Sequence, residues 1–465
     1  MSPRFRALLI AAVAAAALLA GARAALREGR PAGDFLRYDR AATLAWRGEG
    51  HLLYDAAARR ENRAWGDPEN LPEMPFRYSP GLAAALFPLG ALAPRHGFVA
   101  WSALCAGLVA AGVGLAAALA IRRLPEGAPA WIPAAAALLL LPHLYAENVK
   151  LGQMNCFAFG LSVAALWALD RGRDRAAGLL AAGAVLAKHI PVLLVLWFAW
   201  KRRWRAAGWS LAGVVLLAGV LPTVVFGPST HGELLRQWWT NENHLVTETG
   251  EPEGTGIVSH PGNLPLVEGQ SLRALLYRYV GPTSYVHLAS QADTPGASPG
   301  TRGIAVWEAV AWDSKTVYAL WGLALAATLW AAVAATAPIA GEDPAGAARR
   351  FPLEAGLVLA AVLLVSPESR APHFQMLAPA CAALAATFAA PGRRGLLWLA
   401  SLGALGVLLP TQGLVGRTGA DYLLAYGSMG LGTVVLFVVM AVLLRRERAA
   451  AVSAAAAAAA AGGAP

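Results

Sequence analysis

The sequence predicts an all-α polytopic membrane protein with about 12 transmembrane helices and two long extracytoplasmic segments. Three observations predict it. Apolar residues (AVILMFWYC) are 57% of the 465 residues, and charged residues are 14%, against roughly 25% in a soluble protein. The mean hydropathy is +0.49. Apolar stretches of a length to cross, or nearly cross, ~30 Å of hydrocarbon recur along the chain, with basic residues gathered in alternate turns between them. This composition excludes a disordered chain and argues against a soluble globular enzyme, whose interior is too small for so much apolar side chain.

The stretches are 7–27, 97–121, 130–145, 152–169, 176–187, 190–200, 206–226, 314–337, 353–366, 373–389, 394–411 and 422–444. Residues 80–94, from Pro80 to Pro94, suit a re-entrant or interfacial helix better than a span. Arg4 and Arg6 ahead of the first stretch place the N-terminus in the cytoplasm. With 80–94 non-spanning, the cytoplasmic turns are Arg122-Arg123, Asp170–Arg175, Lys201–Arg205, Arg349-Arg350, Arg393-Arg394 and Arg445-Arg446. The short external turns hold about one basic residue each, namely Lys150, Lys188, Arg370 and Arg417. The net charge of +10 is therefore read as topology, and no nucleic-acid partner is expected. A single helix over 176–200 would put Lys201-Arg202-Arg203 outside. Two short helices meeting at Lys188–Pro191 keep that cluster inside. Ala22-Arg23-Ala24 has the look of a signal-peptidase site, and an uncleaved signal-anchor is expected. One membrane domain thus covers 1–448, followed by an Ala-rich, disordered cytoplasmic tail over 449–465. Cys105, Cys156 and Cys381 lie scattered in apolar runs, which argues against a disulfide framework or thiolate metal site.

The two long external segments, 28–96 and 227–313, point to work done on that face. Short external turns can converge there with Glu147, Asn148, Lys150, Gln153, Asn155, Lys188, His189, Glu368, Arg370 and His373, whereas the cytoplasmic turns show little beyond arginine. Asp34, just outside the first stretch, suits a general base for a substrate at the bilayer surface, or a helix N-cap. Arg77 and Tyr78 before Pro80 are substrate contacts or interfacial anchors. Gln153 and Asn155 either cap a helix or hydrogen-bond sugar hydroxyls. Lys188-His189 at a helix break calls for an anion such as a lipid phosphate, unless the lysine snorkels to the interface. Arg370 and His373, in a turn shaped by Pro367 and Pro372, suit a phosphate or sugar. Trp238-Trp239 reads as an interfacial belt. Asn241–His244, Ser259–Asn263 and Gln270–Arg273 complete the polar set. There is no Walker loop, GxSxG elbow, HExxH or metal-ligand spacing, so neither metal nor other cofactor is expected.

Several of these stretches together resemble glycosyltransferase family 87, within the GT-C superfamily of polytopic enzymes. They are Asp34-Phe35 with Tyr38 and Ala41-Ala42; Gly50 with Leu53-Tyr54-Asp55; Phe76–Pro80 and Pro88–Leu92; Gly152-Gln153-Met154-Asn155; Lys188 with Pro191; Asn263 with Gln270-Ser271-Leu272; and Ser366-Pro367 with Ser369 and His373. Glu368 and Arg370-Ala371-Pro372 depart from the more aromatic, His-rich turn of that family. The resemblance implies a GT-C-like fold in a bacterial plasma membrane. It implies transfer of one sugar, typically mannose, from a polyprenyl-phosphate donor to a lipid or glycan acceptor on the outer face. Asp34 is then the catalytic base, with inversion at the sugar. Lys188, Arg370 and His373 would bind the donor phosphate. Tyr38, Arg77, Tyr78, Gln153, Asn155, His189 and Gln270 would contact substrates. Competing classes are a secondary transporter and a polymerase or ligase of lipid-linked glycans; the two long external segments are unlike each other, against the internal repeats common in transporters.

Overall fold

The computed structural model describes residues 3–26, 33–55, 76–247, 269–281, 285–287, 303–305, 312–339, 342–367, 369–390 and 394–462. Helices coincide with each of the apolar stretches. The first half holds α1 (Pro3–Leu26), α2 (Gly33–Trp46), α3 (Pro80–Ala85), α4 (Pro94–Ala120), α5 (Ile132–Leu139), α6 (Pro142–Leu151), α7 (Asn155–Asp170), α8 (Asp174–Ala187), α9 (Val192–Trp200), α10 (Trp204–Val215) and α11 (Leu221–Phe226). Then follow α12 (Pro228–Thr247), α13 (Leu272–Val280), α14 (Ser314–Thr336), α15 (Pro344–Val365), α16 (Ala378–Phe388), α17 (Arg394–Leu408), α18 (Gln412–Ala425) and α19 (Ser428–Gly462). A short antiparallel pair, β1 (Tyr285–His287) with β2 (Gly303–Ala305), interrupts the all-helical pattern in the second long segment.

Among the described residues, four helices are long and apolar enough to cross a membrane: Pro94–Arg123, Trp204–Phe226, Lys315–Thr336 and Ser428–Ser453. The number reaches six if each of two bent pairs is one span, α5 with α6 (56°) and Gly395–Leu408 with α18 (86°). The expected twelve is not reached by length and apolarity. Three helices end early. Gly172 (φ 70) and Arg202 (φ 57) adopt left-handed conformations, and Pro191 removes an N–H, so α7, α8 and α9 end after 16, 14 and 9 residues. The break expected at Lys188–Pro191 falls between α8 and α9. Residues 80–94 form a hook of α3 and a 3₁₀ turn at Phe87–Ala91, too short to span. Gly90 lets this hook touch α2, since a Cβ there would sit 2.3 Å from the Ala42 carbonyl oxygen. α19 runs on through the Ala-rich stretch to Gly462, in keeping with alanine as the strongest helix former.

α1 packs antiparallel along α4, with Gly21 beside Val99 and Ala103, and Leu9 against Gly114. α7, α8 and α10 pack side by side, and α15 and α16 lie at the centre, buried on nearly every face. At the end of the bundle away from Lys188, the basic turns are not bare. Arg122 Nη1 meets Asp170 Oδ1 at 2.6 Å, and Arg203 pairs with Asp174. Arg123 Nη2 meets Glu447 Oε1 at 2.7 Å, and Arg350 bonds Glu342 (3.1 Å) and Glu354 (3.0 Å). Lys201 Nζ lies 2.9 Å from Glu354 Oε2. The sequence reading, which saw little there beyond arginine, is corrected on this point. Asp170, Asp174 and Glu447 lie far in sequence from Arg122, Arg203 and Arg123, as Glu354 does from Lys201, and packing brings these pairs together; Glu342 and Glu354 are near neighbours of Arg350 in the chain.

Glu354 is 2% exposed and neutralises two cations, Arg350 on its own helix and Lys201 in the turn after α9. Replacing it by alanine takes the carboxylate from Lys201 and leaves Arg350 with Glu342, and is expected to cost about 3–5 kcal/mol. Thermal unfolding in detergent checks this: Glu354→Ala lowers the Tm, and adding Lys201→Met recovers part of the loss.

Candidate active site

Lys188 is the natural starting point. α8 stops at Ala187, and Lys188 is extended (φ −159, ψ 137) just ahead of Pro191, which cannot continue the backbone ladder. The side chain leaves an apolar helix end carrying an ammonium group, which needs partners. Its Nζ donates to Asn155 Oδ1 at 2.8 Å and meets Nε2 of His373. Asn155 Nδ2 donates in turn to Asn148 Oδ1 (3.0 Å) and Gln153 Oε1 (2.7 Å). Asn148 Nδ2 donates to the carbonyls of Pro372 (2.8 Å) and Leu144 (2.8 Å). His373 Nδ1 accepts the Arg370 N–H at 3.0 Å, which fixes the ring. One polar chain therefore joins α6, α7, the α8–α9 break and the turn at 369–373.

Gly152 makes the α6–α7 turn possible. It takes φ 65 at the α6 C-terminus, where a side chain would be strained and a Cβ would meet the Trp101 ring at 3.2 Å. Trp101 Nε1 instead donates to the Gly152 carbonyl at 2.7 Å. The next contact brings in the first long segment. The Met154 N–H donates to Tyr38 Oη at 3.3 Å, and Tyr38 and Tyr78 share a hydroxyl–hydroxyl bond of 2.7 Å. Tyr54 Oη donates to the Tyr78 carbonyl at 2.6 Å. Burial, then the nearby Tyr78 and Asp34, raise the Tyr38 hydroxyl well above its ordinary pKa, against the opposing charge of Arg37. Burial likewise raises Tyr78.

Asp34 sits in the first turn of α2, four residues before Tyr38, with its Oδ1 2.9 Å from Arg37 Nη2. Both side chains are partly exposed, at 20% and 17%. Asp34 thus faces the edge of the tyrosine pair, on the same side of the fold as Lys188. His189 packs against the Trp238 ring at 5.3 Å, and Trp238 Nε1 donates to the Arg77 carbonyl at 3.4 Å. Trp238, read from sequence as part of a membrane belt, here links α12 to the site.

Gln270 differs from the other expected substrate contacts. It is fully buried; its N–H donates to the Ser369 carbonyl (2.6 Å), its Nε2 to the Leu424 carbonyl (2.8 Å), and its Oε1 accepts the Gly430 N–H (3.3 Å). These bonds brace the 369–373 turn through an isolated bridge between Gly269 and Arg370. The remaining expected residues fall in one connected region: Asp34, Tyr38, Arg77, Tyr78, Gln153, Asn155, Lys188, His189, Arg370 and His373. Ser259–Asn263 and Glu368 lie outside the described residues. Arg37 and Asn148 complete the site; Arg37 was legible as an i,i+3 partner of Asp34, but the reach of Asn148 to Pro372 has no sequence signal. Among the described residues, no group of three or more His, Cys, Asp or Glu is placed to hold a metal ion.

A helical membrane protein with a carboxylate, cations and amides gathered at one end of its bundle fits an enzyme that handles polar groups at a membrane boundary. Residues 76–292 match the model of glycosyltransferase family 87, so this stretch of the chain is similar to that family of glycosyltransferases. The matched stretch contains Arg77, Tyr78, Gln153, Asn155, Lys188, His189 and Gln270; Asp34, Arg370 and His373 lie outside it. No curated protein and no solved structure matches the chain.

Burial, then the ammonium of Lys188, hold His189 below its ordinary value. The fold favours its neutral form, so the stability it contributes is full above pH ~6.5 and falls as the pH drops below that. Thermal unfolding from pH 8 to 5 is expected to show a larger Tm loss for the wild type than for His189→Gln.

Proposed function

We propose that the protein transfers one sugar, mannose, from a polyprenyl-phosphate donor to a lipid or glycan acceptor, with inversion, at the outer face of a bacterial plasma membrane. The observation that carries this reading is the joining of Asp34 to Lys188 through one set of contacts, by way of Tyr38, Met154 and Asn155. A base and an anion site at one membrane boundary are what a lipid-phosphate donor requires. The basic turns at the far end support the outer-face placement, since basic residues favour the cytoplasmic side.

In this mechanism the isoprenoid chain lies among the helices, and the donor phosphate meets Lys188 with His373 and Arg370. Asp34 takes the proton from the acceptor hydroxyl. The hydroxyl oxygen bonds to the anomeric carbon as the bond from that carbon to the phosphate oxygen breaks. The electron pair leaves on the polyprenyl phosphate, whose growing charge the Lys188 ammonium stabilises. Arg37, paired to one carboxylate oxygen, orients Asp34. The lipid-linked donor supplies the driving force.

Transfer from radiolabelled polyprenyl-phosphate mannose to a lipid extract of the source cell tests this. Asp34→Asn is expected to lower kcat by about 10²–10⁴ with the donor KM little changed. Lys188→Met is expected to raise the donor KM. A folded Asp34→Asn protein that transfers at the wild-type rate would overturn the assignment of the base.

A further inference from the structure

A second feature lies beside this site, outside the hydrogen-bond network around Lys188. A groove of about 670 Å³ runs between α1, α4, α5 and α6. Its walls are apolar, formed by residues such as Leu9, Leu19, Phe98, Val109, Val113 and Leu138. It extends along α1 from Leu8 to Arg23, about 22 Å at the rise of a helix. Among the described residues lining it, the charged ones are Arg23 and Lys150. Arg23 is in the last turn of α1 and Lys150 in the last turn of α6. Both lie toward the end where Phe98 packs on Phe35, the neighbour of Asp34, with ring centroids 5.2 Å apart. A long apolar slot whose charged lining, among the described residues, is two cations at its mouth is complementary to an anionic lipid, chain inside and headgroup at the rim.

The faces of α6 say which substrate this is. Pro142, Ala146, Val149 and Lys150 line the groove, spaced as one stripe of a helix. Leu144 and Asn148 are buried on another face, and Asn148 belongs to the network around Lys188. The helix therefore divides two anion-seeking regions: Lys188 with His373 on one side, Arg23 with Lys150 on the other. The second region is the one that borders the Phe35–Asp34 corner, where the acceptor hydroxyl must lie.

We propose that the groove between α1, α4 and α6 seats the apolar chain of the acceptor, which is an anionic lipid, with its headgroup charge on Arg23 and Lys150. The acceptor role rests on the transferase reading above; the seating of an anionic lipid does not. The purified full chain in nanodiscs is irradiated with a diazirine phosphatidylglycerol and, separately, with a diazirine phosphatidylcholine of the same chain length. The anionic probe is expected to crosslink groove residues of α1 and α4 well above the choline probe. Arg23→Glu/Lys150→Glu, both at exposed positions, is expected to abolish that excess, and Ala110→Phe to block labelling while leaving both cations. In the transfer assay the double variant is expected to raise the acceptor KM about tenfold, without a matching rise in the donor KM. Equal labelling by the two probes, or labelling indifferent to charge reversal, overturns the lipid site. A donor KM that rises in step with the acceptor KM overturns the acceptor assignment. A wild type that transfers no sugar defeats the transferase reading, and with it the acceptor role, while the crosslinking contrast still decides whether an anionic lipid sits there.

Discussion

An ammonium group at the end of an apolar helix is the constraint on which the site depends. Lys188 leaves α8 where Pro191 forbids the helix to continue, in surroundings too poor in water to leave a cation unbonded. Its bond to Asn155 sets the orientation of that amide, which then donates to Gln153 and Asn148, and Asn148 reaches the Pro372 carbonyl. Removing the lysine would unsettle these in turn, because both polar groups of Asn155 and of Asn148 are committed within the chain. The turn that carries Arg370 and His373 is thereby held to α6 and α7 without any regular element of its own beyond one 3₁₀ stretch.

The other half of the site is held differently. Aromatic hydroxyls do for the first long segment what amides do around Lys188. Tyr38, Tyr54 and Tyr78 bond one another and the backbone, and Tyr38 caps the Met154 N–H. A buried hydroxyl both donates and accepts, so it can join segments that share no strand or helix. Asp34 gains its position from this: it is one helical turn from Tyr38 on α2, and so inherits the rigidity of the pair. The carboxylate itself remains partly exposed, as its proposed role as base requires.

Much of this was legible in the sequence, and the limits follow from physics. The helical stretches, the break at Lys188–Pro191 and the non-spanning hook at 80–94 are local properties, written in apolar runs and prolines. The number of full spans is not local. It depends on where Gly172 and Arg202 turn the chain, and a left-handed arginine has no sequence mark. The polar residues were found one by one as misfits near apolar ends, which is why ten of them fall in one connected region. Gln270 looked the same in the sequence, but a glutamine between two backbone segments satisfies both with one amide. Composition cannot tell an amide that faces a ligand from one that braces a turn.

The far end of the bundle shows how the same charges serve two purposes. The arginines and Lys201 there were read as markers of the cytoplasmic side, and packing has since supplied Asp170, Asp174, Glu342, Glu354 and Glu447 as their partners. Neutralisation in the folded state does not weaken the topological reading. Orientation responds to lysine and arginine near the helix ends, and acids contribute little to it. The pairs act later, once the helices pack, when Glu354 ties α15 to the start of the turn after α9. The same basic residues hold their end of the bundle together through these pairs, while at the other end Lys188 bonds the Asn155 amide and His373, where the proposed mechanism places the donor phosphate.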